Sequence, residues 1–527
     1  MAHPTLQNED ILREIVKHLS PPMDHKIVSF SKFDAPHRAT LLNVALSCKV
    51  FRDPALDVLW MNVDDILNLF RVLPAFYRLN RTYVLDGPIS ENDWSRFDFY
   101  AQRIRHLVYF DPEIDSSVYS RMTWLRQSTP ILPSLISFCA VPFGPGLLSF
   151  LSPTLRTVGI FTASTNEHVP AVWTFMDALT DSEKYPYLEN LNVQALLTPP
   201  SLLSLSRIPN LRDLTLFGVG VNDLGLFAAL SELQKLASLS IEFRGSSSFV
   251  TRHKVQPATA FPALETLSLS IETRHVPPLL KFLPHDKLKK FGIIAAAGTS
   301  GTRQEKLNWL KIFETIGSRF SGSMKSLDFT VDHSLMSQTA IEASDCDFQM
   351  FQPLRDMPEL EEVLFHLFPW MSFSDEGYKA LAAVWPKAQK LAFPPSPTPI
   401  ATFISLQYFA LTCPALRYLC LSFDACNLPP IASDNLPLSS HTLEQLDVLS
   451  SPVADERSAA RHIDRLFPSL KQLSFTPVQN NEKWQQVTAL LPILSAVRGD
   501  QSARHGLATQ PSKRLCRPFP FHFRISY

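Results

Sequence analysis

Apolar residues recur along this chain in one phrase, apolar-x-x-apolar-x-apolar. Leu416-Arg-Tyr-Leu419-Cys-Leu421 is one copy. Leu211-Arg-Asp-Leu214-Thr-Leu216, Leu264-Glu-Thr-Leu267-Ser-Leu269 and Leu470-Lys-Gln-Leu473-Ser-Phe475 are others. The last two apolar positions alternate with polar ones, which is the period of a β-strand with one buried face. The leading apolar residue closes the corner before the strand. Fourteen phrases can be counted, led by Ile104, Leu135, Leu155, Leu188, Leu211, Leu236, Leu264, Leu288, Met324, Leu360, Ala388, Leu416, Leu443 and Leu470. Their spacing runs from about 20 to 36 residues, the range of stacked repeats. Helical stretches such as 223–230 and 279–283 lie between them. One such unit cannot bury its own apolar face, so neighbours must stack.

The pattern predicts an α/β chain whose main body, residues 101–496, is an irregular leucine-rich-repeat solenoid built on a curved parallel β-sheet. Prolines before the phrase, as at Pro209, Pro262, Pro358, Pro414 and Pro468, stop each helix and set an extended entry to the strand. The x positions should form a ladder on the exposed, concave face. They include Asp213, Thr215, Thr266, Ser268, Asp328, Tyr418, Gln445, Asp447 and Gln472, with Ser238, Ser240, Ser326, Cys420 and Ser474 among them. Their mixed, mostly neutral chemistry suits a protein target better than a phosphate backbone. The plain alternative is a face that is only solvated. Segments 244–258 and 330–350 read as the largest outgrowths.

The N-terminus has a different period. Ile11, Leu12, Ile15, Val16 and Leu19 share one face of a helix spanning 6–20. A loop over 21–37 follows, then a helix carrying Leu41, Val44, Ala45 and Cys48. A third helix is expected to start at Asp53-Pro54, with aspartate as N-cap and proline in the first turn. Residues 63–100 read as further helices, and residues 1–62 as a small helical domain.

These residues resemble an F-box: Leu6, Ile11-Leu12, Ile15, Leu19-Ser-Pro21, then Leu42, Cys48-Lys49, Phe51-Arg52 and Leu59-Trp60. The usual leucine-proline start is absent, since Gln7 follows Leu6, and the loop after the first helix is long. Asp93-Trp94-Ser-Arg96-Phe97, which follows, resembles the phrase joining F-box to repeats in F-box proteins of mushroom-forming fungi. The resemblance implies a substrate receptor of a Skp–cullin–F-box ubiquitin ligase. Leu6, Ile11, Leu12, Ile15, Leu42, Cys48, Phe51, Leu59 and Trp60 would then dock a Skp-type adaptor, itself held by a cullin, while the repeats bind a protein substrate. A repeat scaffold without a ligase link is the alternative.

Composition narrows this only at the margins. The chain has 527 residues, 45% of them hydrophobic, and a formal net charge of −1. No global charge draws it to nucleic acid or to an anionic membrane. The seven cysteines form no C-x-x-C pair, so a disulfide framework and a zinc site are not expected, and a reduced compartment, cytoplasm or nucleus, is. Residues 127–155 lack charges but are broken by five prolines and read as repeat rather than membrane helix. No catalytic motif stands out, and no enzyme activity or cofactor is expected. Gly298-Thr-Ser-Gly301 lacks the Gly-Lys-Ser/Thr ending of a phosphate loop. From residue 497 onward the repeat pattern ends, and a loose tail is expected to 527.

Overall fold

A computed structural model describes residues 9–19, 35–110, 113–127, 129–141, 146–162, 169–197, 202–219, 224–243, 260–295, 303–331, 344–345, 348–366, 371–396, 399–428, 441–476 and 481–508. The chain divides into two compact units, Met1–Ser337 and Gln338–Tyr527. Both are α/β and solenoid-like.

All fourteen phrases become strands, and each strand opens two residues beyond its leading apolar residue. Ile104 precedes His106–Tyr109, Leu211 precedes Asp213–Val219, and Leu416 precedes Tyr418–Cys420. In the first unit ten strands pair in chain order, from Asn62–Val63 to Ser326–Val331. In the second, five strands pair from Glu362–His366 to Gln472–Ser474. The pairing is parallel. Parallel neighbours need a crossover between them. Helices such as Val169–Leu179, Leu224–Leu230 and Glu456–Leu466 supply it.

The register puts like positions side by side. In the first unit Leu214 faces Leu239, which faces Leu267, which faces Phe291, and all four are buried. Leu391, Leu419, Leu446 and Leu473 do the same in the second. Burying such a side chain is worth about 1.5–3 kcal/mol, and stacking repeats the gain at each rung. The turn entering each strand is fixed by backbone bonds. The Arg212 carbonyl accepts from the N–H groups of Ala237 (2.8 Å) and Ser238 (2.9 Å), and the Arg417 carbonyl does so from Glu444 and Gln445.

Three N-terminal helices, Glu9–Lys17, Ala35–Ser47 and Lys49–Met61, share a core of Val16, Leu41, Ala45, Ala55 and Val58. The third begins at Lys49 rather than at Asp53, with Cys48 at its N-cap, so Pro54 lies inside it. The proline has no N–H to return to the carbonyl of Val50, and the helix gives up that one bond. Residues 63–100 are not all helical either. Phe76–Leu79 and Thr82–Leu85 form an antiparallel hairpin, closed by Asn80 at φ 57°. Asparagine tolerates that left-handed conformation, so a tight turn forms without glycine.

The expected loose tail is also corrected in part. The helix Asn481–Ala508 runs well past residue 497. It is anchored by buried Trp484, whose indole N–H donates to the Ser451 carbonyl at 2.8 Å, and by an Arg498–Asp464 ion pair of 2.5 Å. The expected loop 21–37 ends early, since residues 35–37 open the second helix; Leu6, residues 21–34, most of both outgrowths, Gly298 to Gly301 and residues 509–527 lie outside the described residues. Among the described residues no helix is long and apolar enough to cross a membrane.

Candidate interaction surfaces

The N-terminal helices divide their apolar residues between a core and a surface. Leu12 is fully buried, and Leu59 packs against the shared core. Ile11 (39% exposed), Ile15 (48%) and Leu42 (48%) point outward. Ile11 and Ile15 are four residues apart on one helix. Leu42 has a similar outward companion in Leu46, four residues on and 76% exposed, and Val50 adds a further outward apolar group. Side chains four apart lie one above the other on a helix, so each of the first two helices carries an outward apolar stripe. Leu46 and Val50 were missed in the sequence, where helical spacing shows a stripe but not which side of it meets solvent.

Cys48 is exposed and stands at the N-cap position of the third helix without a side-chain capping bond, and Phe51 is half-buried beside it. Trp60 has another role. Its ring lies 4.7 Å from Tyr100 of the helix Glu91–Ala101, which ties the helical module to the elements that follow. The phrase around Asp93-Trp94 builds the same junction. Ser90 and Asp93 form a reciprocal cap, the Ser90 hydroxyl accepting from the Asp93 N–H and the Asp93 carboxylate from the Ser90 N–H. The Ser90 hydroxyl also donates to the Asp93 carboxylate at 2.6 Å, and this bond, with the one from the Ser90 N–H, holds that carboxyl below the usual carboxylate range. Arg126 pairs with Asp98 at 2.8 Å and lies over the rings of Trp94 and Phe97.

The x positions fall on the outward face of the sheet, as the alternation requires. In the first unit Asp213 stands in register with Ser238, and Ser238 with Thr266. Thr215 leads through Ser240, Ser268 and Gly292 to Asp328. Asp213 and Asp328 are exposed, while Thr215, Thr266 and Ser268 are half-buried. In the second unit Tyr418, Gln445 and Gln472 form one row, and Cys420, Asp447 and Ser474 the next.

Not every member of these rows is available, and Ser326, expected on the exposed face, is buried. The Asp447 carboxylate accepts from the Leu449 N–H at 2.9 Å and holds a turn in which Leu449 takes φ 51°. Cys420 is buried, and burial pushes its thiol up to about 12. Burial also raises the Tyr418 hydroxyl, helped by neighbouring Cys420 and Asp447. Both groups stay protonated at neutral pH. Among the described residues no group of three or more His, Cys, Asp or Glu could hold a metal ion.

No protein-family model matches this sequence, and no curated protein matches it.

Proposed function

We propose that this chain is the substrate-recognition subunit of a Skp–cullin–F-box ubiquitin ligase. In this reading the N-terminal helices dock a Skp-type adaptor, which attaches the chain to a cullin, and the leucine-rich repeats hold a protein target. The observation that carries it is the outward stripe of Ile11 and Ile15, beside that of Leu42 and Leu46, on helices whose opposite sides are already packed. Apolar side chains left on a helix surface are the usual means of entering a partner's groove. The chain then contributes proximity, and the reacting groups belong to its partners. Co-purification of the full chain with a recombinant Skp-type adaptor tests the reading. Stoichiometric capture supports it, and absence of capture at micromolar concentrations of both proteins removes it.

A second reading has its own support. Asn62–Val63 pairs with His106–Leu107 as the first rung of the sheet, and the Trp60 ring packs at a tilt against Tyr100. The helical module therefore closes the open end of the repeats, which is what an N-terminal cap in a repeat scaffold does. Capping and adaptor docking use different sides of the helices, so the capture experiment separates them.

A further inference from the structure

The third outward row of the first unit's sheet follows a rule of its own. Six places beyond the leading apolar residue of successive repeats stand Phe110, Val141, Phe161, Gln194 and Phe217. Phe161 pairs in register with Gln194, and Gln194 with Phe217. Val141 donates its N–H to the Tyr109 carbonyl at 2.8 Å, which sets it beside Phe110. One place beyond the same leading residues stand Arg105, Ile136, Arg156, Glu189 and Arg212. At these two positions arginine and phenylalanine therefore fall together on every second repeat, and the repeats between carry neither there.

Core packing does not account for this alternation. The buried positions beside the phenylalanines are Tyr109, Ile160 and Leu216. Phe110 itself is 45% exposed, Phe161 and Phe217 are half-buried, and the three arginines are exposed. Between the two rows the side chains are small, with half-buried Thr157 and buried Gly159 on one strand and half-buried Ser137 and buried Cys139 on its neighbour.

The spacing of the pattern selects a ligand. Strands lie about 4.8 Å apart, so the pattern repeats every ~9.6 Å across the sheet. A polyproline II segment returns a side chain to the same side every three residues, about 9.3 Å. Two turns of α-helix cover about 10.8 Å, and an extended strand returns to one side every ~6.6 Å. Over the two intervals from Phe110 to Phe217, polyproline II drifts by only about 0.6 Å from that period, against about 2.4 Å for the helix. Glu189 and Asp213 interrupt the arginines, and Glu189 lies 3.6 Å from Arg156. Three cations and two anions do not suit a polyanionic backbone, whereas arginines at every second strand suit isolated carboxylates.

We propose that this face binds a polyproline II segment of a protein. An apolar side chain at every third residue would seat on Phe110, Phe161 and Phe217, with carboxylates on the opposite flank toward Arg105, Arg156 and Arg212. Aromatic-lined grooves are a general means of holding such segments. The inference rests on the part of the proposed function that makes the repeats a protein-binding surface, and not on adaptor docking.

The test uses the full chain and a fluorescent peptide of four Leu-Glu-Pro repeats. The controls are the same residues in scrambled order, a Leu-Gln-Pro version, and a ten-nucleotide oligouridylate. The ordered acidic peptide should bind at least about tenfold tighter than each control. A Phe161→Ala/Phe217→Ala variant should lose at least about tenfold in affinity, and Phe110→Ala, at the most exposed of the three sites, provides the same reading with the core untouched. Equal binding of ordered and scrambled peptides overturns the proposal. So does tighter binding of the oligonucleotide, or wild-type affinity in folded phenylalanine variants. Adaptor capture is measured on the same preparations. A parent chain that captures the adaptor but binds no peptide sinks this inference alone, and one that binds the peptide but captures no adaptor sinks only the adaptor-docking reading.

Discussion

Arg103 Nε lies 2.9 Å from an Asp57 carboxylate oxygen, and so joins the helix Glu91–Ala101 region to the third N-terminal helix. Its Nη2 reaches Asp53 at 3.2 Å, Nη1 donates to the Phe99 carbonyl, and the guanidinium lies over the Phe99 ring. The arginine is only 10% exposed, while the two aspartates are nearly half exposed. Removing the cation leaves solvated carboxylates, so the cost falls below that of a fully buried pair. Arg103→Ala is expected to lower stability by about 1–3 kcal/mol in denaturant unfolding. A Phe99→Leu change, which keeps both ion pairs, is expected to cost less. A loss under about 0.5 kcal/mol for Arg103→Ala would mean that the junction rests on Trp60 and Tyr100 instead.

The division of the N-terminal stripe gives opposite outcomes for adjacent residues. Leu12→Ala empties a fully buried site and is expected to cost about 2–5 kcal/mol. Ile11→Ala, next to it but 39% exposed, is expected to stay within about 1 kcal/mol of the parent. Thermal and chemical unfolding of the two variants checks the assignment directly.

His441 is a neutral ring built into the second unit. Its Nδ1 accepts from the Leu443 N–H at 3.1 Å, which leaves Nε2 to donate to the Cys413 carbonyl at 2.8 Å. Burial lowers its pKa below the ordinary 6.5, although the Cys413 carbonyl works the other way. The unfolded chain thus takes up the proton first. The stabilisation is complete above about pH 6.5 and falls as pH drops through that value toward the lower folded pKa. His441→Gln should be less stable than the parent at pH 8, and the gap should narrow by pH 5. A gap that widens on acidification would mean that the folded ring prefers its charged form.

The cysteines should divide by burial. Cys48 and Cys426 are exposed, whereas Cys139, Cys413 and Cys420 are buried, and burial pushes their thiols up to about 12, 11 and 12. The thiolate is the reactive form. Iodoacetamide at pH 8 should label Cys48 in the native protein within minutes and leave the three buried thiols untouched until denaturant is added. Peptide mass spectrometry reads the outcome, and native labelling of Cys413 would contradict the packing around it.

How much was legible in the sequence follows from how local each signal is. Strand positions were legible because Leu416-x-x-Leu419-x-Leu421 and its copies combine period-two alternation with a proline stop, and both act within a few residues. The rung at Asn62–Val63 was not, because two residues carry no period and are recruited only by His106–Leu107 on a later strand. The hairpin 76–85 was hidden by an Asn80-Arg81 turn without glycine. The outward side of the N-terminal helices was hidden too. Leu12 and Ile15 have the same chemistry, and only the folded module, which buries the first and leaves the second 48% exposed, decides which faces solvent. The alternation of Arg105, Arg156 and Arg212 is written in the sequence, but it becomes a pattern only once the strands stand side by side.

The most direct test of the account is capture of a Skp-type adaptor by the full chain, compared with the Ile15→Asp/Leu42→Asp double variant. Both substitutions fall on half-exposed positions, so the variant should keep the parent's melting temperature and circular dichroism. The account predicts stoichiometric capture by the parent and at least a hundredfold weaker capture by the variant, about 2.7 kcal/mol. A folded parent that captures no adaptor, or a folded variant that captures it as well as the parent, would contradict it.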